Sequence, residues 1–396
     1  MSSTKATTGN IGTLDAASLT GAAMPAISGA ALTNIPGVTN SLNDPAANTN
    51  PSAGIGAAWL NTSTGSLYCC TDATADANIW VDVSDGYGAY GRSFGGNGPG
   101  STAGYVTGGY HTGGYPVAID KFLFASGGAL TDHGDITHSG RQAGGCSSAT
   151  HGYALGGNGP SNIKVADIEK YSFASANTVS DHGSCRLPLT GNVGSCSSLT
   201  DGFQCGGSPA SSNRIEKMSF ASNVTMSHHS HLTIGRYVNG GGVSSDTHGY
   251  TAGGNTWPAI AIGAPIDRFD FSSQSNATDH GDLTGNTIRY GGAGISSSTH
   301  GYYAGGHGGP PTGYWTEINK YAYTSNTTAS DHADLSVGPH ANAGCSGTTE
   351  GYSAGGDAPP GGQTTLVEKF SYASQNTVAS HSNLSVGKQG ASTAQV

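Results

Sequence analysis

The chain has 396 residues, of which 65 are glycine, and it carries a formal net charge of −10. Only 10% of the residues are charged and 35% are hydrophobic, which argues against a helix-rich fold and against a highly charged disordered chain. The acidic balance without a basic cluster argues against a nucleic-acid partner, and the lack of an 18-residue apolar run argues against membrane insertion.

The first 86 residues do not share the pattern of the rest. They hold one basic residue, Lys5, and six aspartates. The stretch 19–37 has scattered apolar residues and no periodic face, so we expect residues 1–40 to be an extended segment that orders only against another subunit or another protein. From 41 to 86, short apolar runs around a Thr-Gly turn predict a small β-hairpin unit built on Trp59, Tyr68 and Trp80.

From residue 87 onward the sequence repeats. The motif Gly-aromatic-x-x-Gly-Gly occurs six times at steps of 47 to 52 residues, beginning at Gly104, Gly152, Gly202, Gly249, Gly301 and Gly351. A run similar to IEKYSFAS follows each copy, and a small-residue segment and a DHGDLT-like segment flank the pair. Four short strands in each repeat predict an all-β fold, a six-bladed β-propeller over residues 87–396. The tail 387–396 resembles the segment that precedes each repeat, so we expect it to supply the strand that closes the ring.

Two positions in the IEKYSFAS-like run are polar in every repeat. The first is acidic except in one copy: Asp120, Glu169, Glu216, Asp267, Asn319 and Glu368. Because an amide would abolish acid chemistry, we interpret this position as a buried acceptor for backbone N–H groups. The next position is always Lys or Arg, whose stems would cover apolar edges. A ring of positive charge for an anionic ligand is the alternative.

Histidines also recur, as Asp-His pairs at 132–133, 181–182, 279–280 and 331–332, with His229 and His381 in the matching slots. Residues that recur around a ring do not converge on one metal or substrate, so we assign them a structural role. His228, His229 and His231 form the best candidate for a metal site, yet we predict no metal, no cofactor and no catalytic residue. The seven cysteines are interpreted as small buried apolar residues, chiefly Cys146, Cys196, Cys205 and Cys345.

The loops after each Gly-Gly pair differ most between repeats. Variable loops on rigid strands are typical of binding surfaces. Three loops carry aromatic residues beside polar ones, a combination suited to sugars because the ring face covers C–H groups. The candidate ligand residues are Tyr110, His111, Tyr115, Trp257, Tyr314 and Trp315. Packing of these rings onto their own repeat is the alternative.

The repeats resemble kelch repeats, with GYxxGG and IEKF at the corresponding positions, although the tryptophan usual after the third strand is missing. The combination of IEKFSFAS-like runs with LTGAAMPAISGAALTNIPG and WLNTSTGSLYCCTDATADANIWVDV more specifically resembles virion fibre proteins of tailed, especially marine, bacteriophages. That resemblance implies a virion protein, made in the host bacterium and released by lysis. Residues 1–86 would join other virion proteins, and the propeller would contact a host-surface glycan or receptor.

The same resemblance implies a homo-oligomer, since fibres are often trimeric. Two other functions stay open at this point. One is a propeller enzyme that depolymerises host polysaccharide, which would need a singular set of carboxylates. The other is a scaffold that decorates the particle without binding a receptor.

Overall fold

The computed structural model describes residues 38–46, 48–61, 67–82, 102–128, 130–138, 140–141, 143–186, 194–207, 212–236, 241–256, 264–286, 288–308 and 313–396. The chain divides into two compact units, Met1–Ala89 and Tyr90–Val396. Most of the expected attachment segment 1–40, and candidate residue Trp257, therefore lie outside the described residues. Within the described ranges, no helix is long and apolar enough to cross a membrane.

The described part of the first unit is one small sheet. Its strands, in spatial order, are β1 (Val38–Ser41), β2 (Ala58–Asn61), β3 (Leu67–Asp72) and β4 (Ile79–Asp82). The first pair is parallel and the other two are antiparallel. Trp59 and Trp80 pack edge to face at 5.8 Å, and their indole N–H groups donate to the carbonyls of Asn43 and Thr49. The aromatic pair thus ties the loop after β1 to the sheet.

The second unit consists mainly of four-stranded antiparallel sheets, one for each sequence repeat. Sheet one contains β31 (Ser392–Gln395), β5 (Ala103–Thr107), β6 (Ala118–Leu123) and β7 (Thr131–Asp135). Sheet two contains β8 (Gly144–Ser147), β9 (His151–Asn158), β10 (Lys164–Ser172), β11 (Ser180–Ser184) and the short β15 (Val224–Thr225). Sheet three contains β12 (Gly194–Ser197), β13 (Asp201–Cys205), β14 (Ser212–Ser219) and β16 (Ser227–Arg236).

Three further sheets repeat the arrangement. Sheet four contains β17 (Gly242–Ser244), β18 (His248–Ala252), β19 (Pro265–Asp270) and β20 (Thr278–Asp282). Sheet five contains β21 (Ala293–Ser296), β22 (His300–Ala304), β23 (Glu317–Ala322) and β24 (Ser330–Asp334). Sheet six contains β25 (Ala343–Ser346), β26 (Glu350–Ala354), β29 (Leu366–Ser371) and β30 (Ala379–Asn383). A separate hairpin joins β27 (Asp357–Ala358) to β28 (Gly362–Gln363), and short 3₁₀ turns lie at Pro160–Asn162 and Thr284–Asn286.

The innermost strand of each sheet contacts the innermost strands of its two neighbours, and the contacts close from β25 through β31 to β8. The predicted closing tail is confirmed, since β31 pairs with β5. One level of the ring is joined by hydrogen bonds between neighbouring strands, each from a backbone N–H to a side-chain oxygen. The donor and acceptor pairs are Ser147 to Ser197, Ser197 to Ser244, Ser244 to Ser296, Ser296 to Ser346, Ser346 to Gln395 and Gln395 to Ser147, at 2.9–3.3 Å. The architecture is therefore all-β and propeller-like.

Small residues are required near the axis because the inner strands approach closely. A Cβ added to Gly242 would lie 2.1 Å from the Ser195 carbonyl oxygen, and one added to Gly294 would lie 2.4 Å from the Gly242 carbonyl oxygen. The cavity that remains at the axis has a volume of only ≈ 60 Å³. Ligand sites usually occupy about 300 Å³ or more, so the axis does not hold a sugar.

Between the sheets lie layers of buried aromatic and aliphatic side chains. Each sheet packs its second-strand aromatic residue against the aromatic residue that directly follows the third strand of the next sheet. Tyr105, for example, lies 4.9 Å from Phe173, and Tyr250 lies 5.0 Å from Tyr323, measured between ring centroids. The buried cysteines sit in the same layers, as predicted: Cys146, Cys196, Cys205 and Cys345 are fully buried free thiols. Burial raises the pKa of Cys146 and Cys345 to about 12, so both stay uncharged.

Candidate functional site

The recurrent histidines join neighbouring sheets. In each case the ring Nε2 lies 2.7–2.9 Å from a backbone carbonyl oxygen of the following sheet, so Nε2 carries the hydrogen. The pairs are His133 with Ser172, His182 with Ser219, His229 with Asp270, His280 with Ala322, His332 with Ser371 and His381 with Leu123. Each ring also packs edge to face on the second-strand aromatic residue of its own sheet, at 4.9–5.2 Å. The predicted structural role is confirmed.

The recurrent acidic position also acts between sheets. Glu169 accepts the backbone N–H of Thr137 at 2.7 Å, and Asp267 accepts that of Thr233 at 3.1 Å. The amide copy, Asn319, accepts the N–H of Thr284 at 2.7 Å through its side-chain oxygen. In each pair the donor lies at the outer edge of the preceding sheet, so the predicted acceptor role is confirmed at these positions. Asp120 and Glu216 instead bond to the side chains of Ser385 and Arg186, also from the preceding repeat.

Three cations are almost fully buried and tie neighbouring sheets together. Arg236 pairs with Asp267 at 2.9 Å, Arg289 with Glu317 at 3.2 Å, and Lys388 with Asp120 at 2.9 Å. Arg236 also donates to the carbonyls of Thr251 and Gly253. Burial lowers the pKa of Arg289 and of Lys388, and the paired carboxylates oppose that shift. Sequence reasoning did not find these residues, because their spacing from the following inner strand varies between repeats.

The histidine-rich segment of β16 is divided between two environments. His229 is one of the buried inter-sheet histidines. The rings of His228 and His231 pack against each other in a tilted arrangement, 4.6 Å apart between ring centroids, on the outer strand. In the part of the chain that the structure describes, no group of three His, Cys, Asp or Glu side chains is arranged to hold a metal ion.

The loop of sheet one brings together three of the predicted residues. The rings of Tyr110 and Tyr115 pack edge to face at 5.3 Å, and the guanidinium of Arg141 lies 4.9 Å from the centre of the Tyr110 ring. The Nδ1 atom of His111 accepts the N–H of Gly113 at 2.9 Å. All three predicted residues are half-buried, so most of the surface of each is covered by the protein.

The loop of sheet five contributes to a cluster of side chains that come from several segments. The hydroxyl of Tyr314 donates to Asp357 at 3.2 Å, and its ring packs edge to face on His307 at 4.9 Å. The Nδ1 atom of His307 lies 3.0 Å from the Tyr290 hydroxyl. His340 completes the group, 5.4 Å from Tyr290 and 5.8 Å from His307 between ring centroids. Tyr314, with 38% of its surface exposed, is the outermost member. We call these five residues the Tyr314 cluster.

Burial determines the charge of this cluster. It lowers the pKa of His340 to about 4 and also lowers the pKa of His307, so both rings are neutral at pH 7. Burial, followed by the adjacent Asp357 carboxylate, raises the pKa of Tyr314, whose hydroxyl therefore stays a donor. The cluster presents one carboxylate, neutral rings and hydroxyls.

Among the described residues, two buried nitrogen atoms, one in the cluster and one beside it, have no hydrogen-bond partner. They are Nε2 of His340 and Nε1 of Trp315. The Trp315 ring is partly exposed and packs against the Arg289 guanidinium at 4.8 Å. Of the predicted residues, Tyr314 thus belongs to this cluster, Trp315 packs against Arg289 beside it in the chain, and Trp257 is not described. Tyr290, His340 and Asp357 were missed, since they come from separate segments and no sequence signal links them. His307 lies in the same loop as Tyr314 but was not singled out.

Comparison with known proteins bears on the fold alone. No protein-family model and no curated protein matches the sequence. The solved structure of YjhT aligns with a TM-score of 0.56 and 13% sequence identity, covering 71% of this chain and 97% of YjhT. This likeness supports the propeller-like all-β architecture.

Proposed function

We propose that this chain is a non-enzymatic structural protein of a tailed-bacteriophage virion, in which a six-bladed kelch-like propeller presents loops to a glycan on the host surface. Residues 1–86 would attach it to other virion proteins, and the assembled fibre would be a homo-oligomer. The resemblance of the sequence to virion fibre proteins supports the setting, and the Tyr314 cluster supports the binding role.

The observation that carries the binding role is the exposed Tyr314 ring beside Asp357 and His307. Sugar recognition needs an aromatic face for the C–H groups and nearby polar atoms for the hydroxyls. The bond from Tyr314 to Asp357 is partly exposed, so a sugar hydroxyl can replace it with little loss of hydrogen bonding. Because the Asp357 carboxylate accepts hydrogen bonds, a neutral sugar fits the cluster better than an acidic one.

The non-enzymatic role is supported by how the recurrent acids and histidines are used. The carboxylate of Glu169 and Nε2 of His133 are bonded to neighbouring sheets, and the same use at the other repeats favours a structural role over acid, base or nucleophile chemistry on a bound substrate. Incubation of the purified chain with host polysaccharide tests this directly. We expect the length distribution of the polysaccharide to stay constant; shortening would establish the enzymatic alternative.

The binding role is tested with labelled protein on an array of bacterial surface glycans. We expect Tyr314→Ala to weaken binding at least about 10-fold, because it removes the stacking face. Ile163→Ala is the matched control, since Ile163 is also an exposed apolar residue, 66% exposed, in a loop that follows a Gly-Gly pair. Equal binding by both variants and the parent would favour the scaffold role.

A further inference from the structure

The outer edge of sheet three differs in charge from the same edge of the other five sheets. On its fourth strand, the residue paired with the recurrent acidic position is His228, opposite Glu216. In the other sheets that residue is an aspartate or a serine: Asp132, Asp181, Asp279, Asp331 and Ser380. A histidine therefore stands where the repeat otherwise places an acid or a hydroxyl.

The next pair of opposed residues shows the same change. In sheet three, Arg214 lies opposite His231. The corresponding pairs are Ala118 with Asp135, Asp167 with Ser184, Pro265 with Asp282, Glu317 with Asp334, and Leu366 with Asn383. Two basic residues thus replace a pair that is acidic or neutral in every other sheet.

A further basic residue comes from the preceding sheet. Arg186 follows β11 and occupies the position where the other repeats carry a hydroxyl residue: Thr137, Thr233, Thr284, Ser336 and Ser385. Its guanidinium donates to Glu216 at 3.4 Å, as Ser385 donates to Asp120. We call Arg186, Arg214, His228 and His231 the basic cluster of sheet three.

This cluster has more cationic groups than the fold needs. Among the described residues, Arg186 and Arg214 form ion pairs with Glu216 alone, and the Glu216 side chain is 1% exposed. The bond from Arg186 already gives that carboxylate a cationic partner. Arg214 lies 3.9 Å from it, beyond hydrogen-bond length, with 40% of its side chain exposed. The adjoining segments 187–193 and 208–211, which lie outside the described residues, contain no charged residue.

The members of the cluster share one electrostatic environment. The rings of His228 and His231 lie 4.6 Å apart between centroids. Burial and then His231 lower the pKa of His228, Glu216 opposes the shift, and Arg186 and Arg214 add to it. A bound anion would relieve this repulsion. Each imidazole can donate an N–H to the anion even when it is neutral.

We propose that the basic cluster of sheet three binds a phosphate group at the outer surface of the ring. Guanidinium groups match the oxygens of phosphate in charge and geometry. Four donor side chains suit a group with at least three acceptor oxygens better than a carboxylate, which has two. The same chemistry would recognise the free ion and a phosphorylated sugar. This site is separate from the Tyr314 cluster and does not depend on glycan binding there.

The probes are glucose 6-phosphate and inorganic phosphate, each titrated with the full chain and followed by phosphorus NMR. We expect saturable binding at millimolar concentrations, and no displacement by an equimolar amount of glucuronate. Tighter binding of the ester would assign the site to a phosphorylated sugar, and equal binding would assign it to the phosphate ion; both results support the proposal. Absence of saturable binding, or displacement by glucuronate, would overturn it.

A surface variant locates the site. Arg214→Gln removes a guanidinium that has no hydrogen bond to Glu216, and it should weaken phosphate binding at least about 10-fold. Arg268→Gln is the matched control, because Arg268 is also a half-buried arginine on a third strand, in sheet four. It should bind like the parent. Equal binding by the two variants would overturn the proposal.

A double variant restores the pattern of the other repeats. His228→Asp/His231→Asp installs the acids that sheet four carries as Asp279 and Asp282, so the fold should accept them while phosphate binding falls below detection. Circular dichroism checks that the variant is folded, and phosphate binding by the folded variant would overturn the proposal. Tyr314→Ala should bind phosphate like the parent, which separates this site from the proposed glycan site.

Discussion

The hydrogen-bonded contacts between neighbouring sheets, here called joints, and the Tyr314 cluster contain the same residue types in different environments. At a joint, a histidine such as His280 is buried and donates to a backbone carbonyl of the next sheet. In the cluster, His307 and Asp357 are half-buried and bond to side chains of neighbouring loops. Backbone partners held in a sheet cannot be exchanged for a ligand, whereas loop side chains can. Residue type alone therefore does not separate structural from functional positions.

Removing the closing strand should lower the stability of the fold more than any other change. Deletion of residues 392–396 removes β31, its pairing with β5 and the hydrogen bonds of Gln395 to both neighbouring inner strands. The ring would then have exposed strand edges and open apolar layers. We expect the melting temperature, measured by circular dichroism, to fall by more than about 10 °C. An unchanged melting curve would contradict closure by this strand.

Breaking a buried ion pair should cause the second-largest loss of stability. Arg236→Met leaves the Asp267 carboxylate buried without its cationic partner, which we expect to lower the free energy of unfolding by about 3–5 kcal/mol. Urea titration measures the change. The double variant Arg236→Met/Asp267→Asn removes the orphaned charge and should recover most of the loss. Equal stability of the single and double variants would show that the charge is not the cause.

The buried histidine of the cluster predicts a pH dependence. The pKa of His340 is lowered to about 4 by burial and the nearby His307, with Asp357 acting in the opposite direction. Below its ordinary pKa of about 6.5, the unfolded chain binds a proton that the folded chain excludes. The free energy of unfolding is therefore not reduced by His340 above pH 6.5, and it falls as the pH decreases from 6.5 toward 4.

His340→Gln should therefore flatten the pH profile. Relative to the parent, the variant should lose about 2 kcal/mol less of its free energy of unfolding between pH 7 and pH 5. Urea titrations at the two pH values give the comparison. Parallel losses in parent and variant would rule out His340 as the responsible group.

Replacing one of the histidines that join neighbouring sheets should lower stability by slightly less. His280→Phe keeps a ring beside Tyr250 but leaves the carbonyl of Ala322 without its donor, at a cost of about 1–3 kcal/mol. His228→Phe is the control because His228 is exposed on the outer strand. Equal melting temperatures for the two variants would contradict a stabilising role of His280.

The smallest effect on stability is expected at Tyr314. Its ring is partly exposed, so Tyr314→Ala should change the free energy of unfolding by less than about 1 kcal/mol while glycan binding falls. Differential scanning fluorimetry beside the array measurement separates the two. A large loss of stability would show that Tyr314 stabilises the fold, as the histidines between the sheets do.

Much of the fold could be predicted because the repeat makes it visible. The order of the four strands, the closing tail and the structural role of the repeated histidines and acids all follow from aligned copies of one segment. A position that accepts Asn319 in place of Asp or Glu identifies itself as a hydrogen-bond acceptor. The alignment does not reveal that its donor belongs to the preceding sheet.

The candidate site could be predicted only in part. Tyr314 was found because its loop is rich in aromatic residues. His340 and Asp357 were not, since they lie in different loops and join the Tyr314 cluster only when sheets five and six pack together. The buried Arg236 and Arg289 were missed for a related reason: a short loop of variable length precedes each inner strand, so the cations do not align.

By itself, the sequence determined the period, the strands and the division between repeated structural positions and variable loops, because strand pattern and turn chemistry are local properties of the chain. The tertiary structure alone decided which repeats exchange hydrogen bonds, how Gln395 completes a ring of serines, and which loops converge on Tyr314. Those features depend on the angle and spacing between neighbouring sheets, which arise from packing of side chains far apart in the sequence.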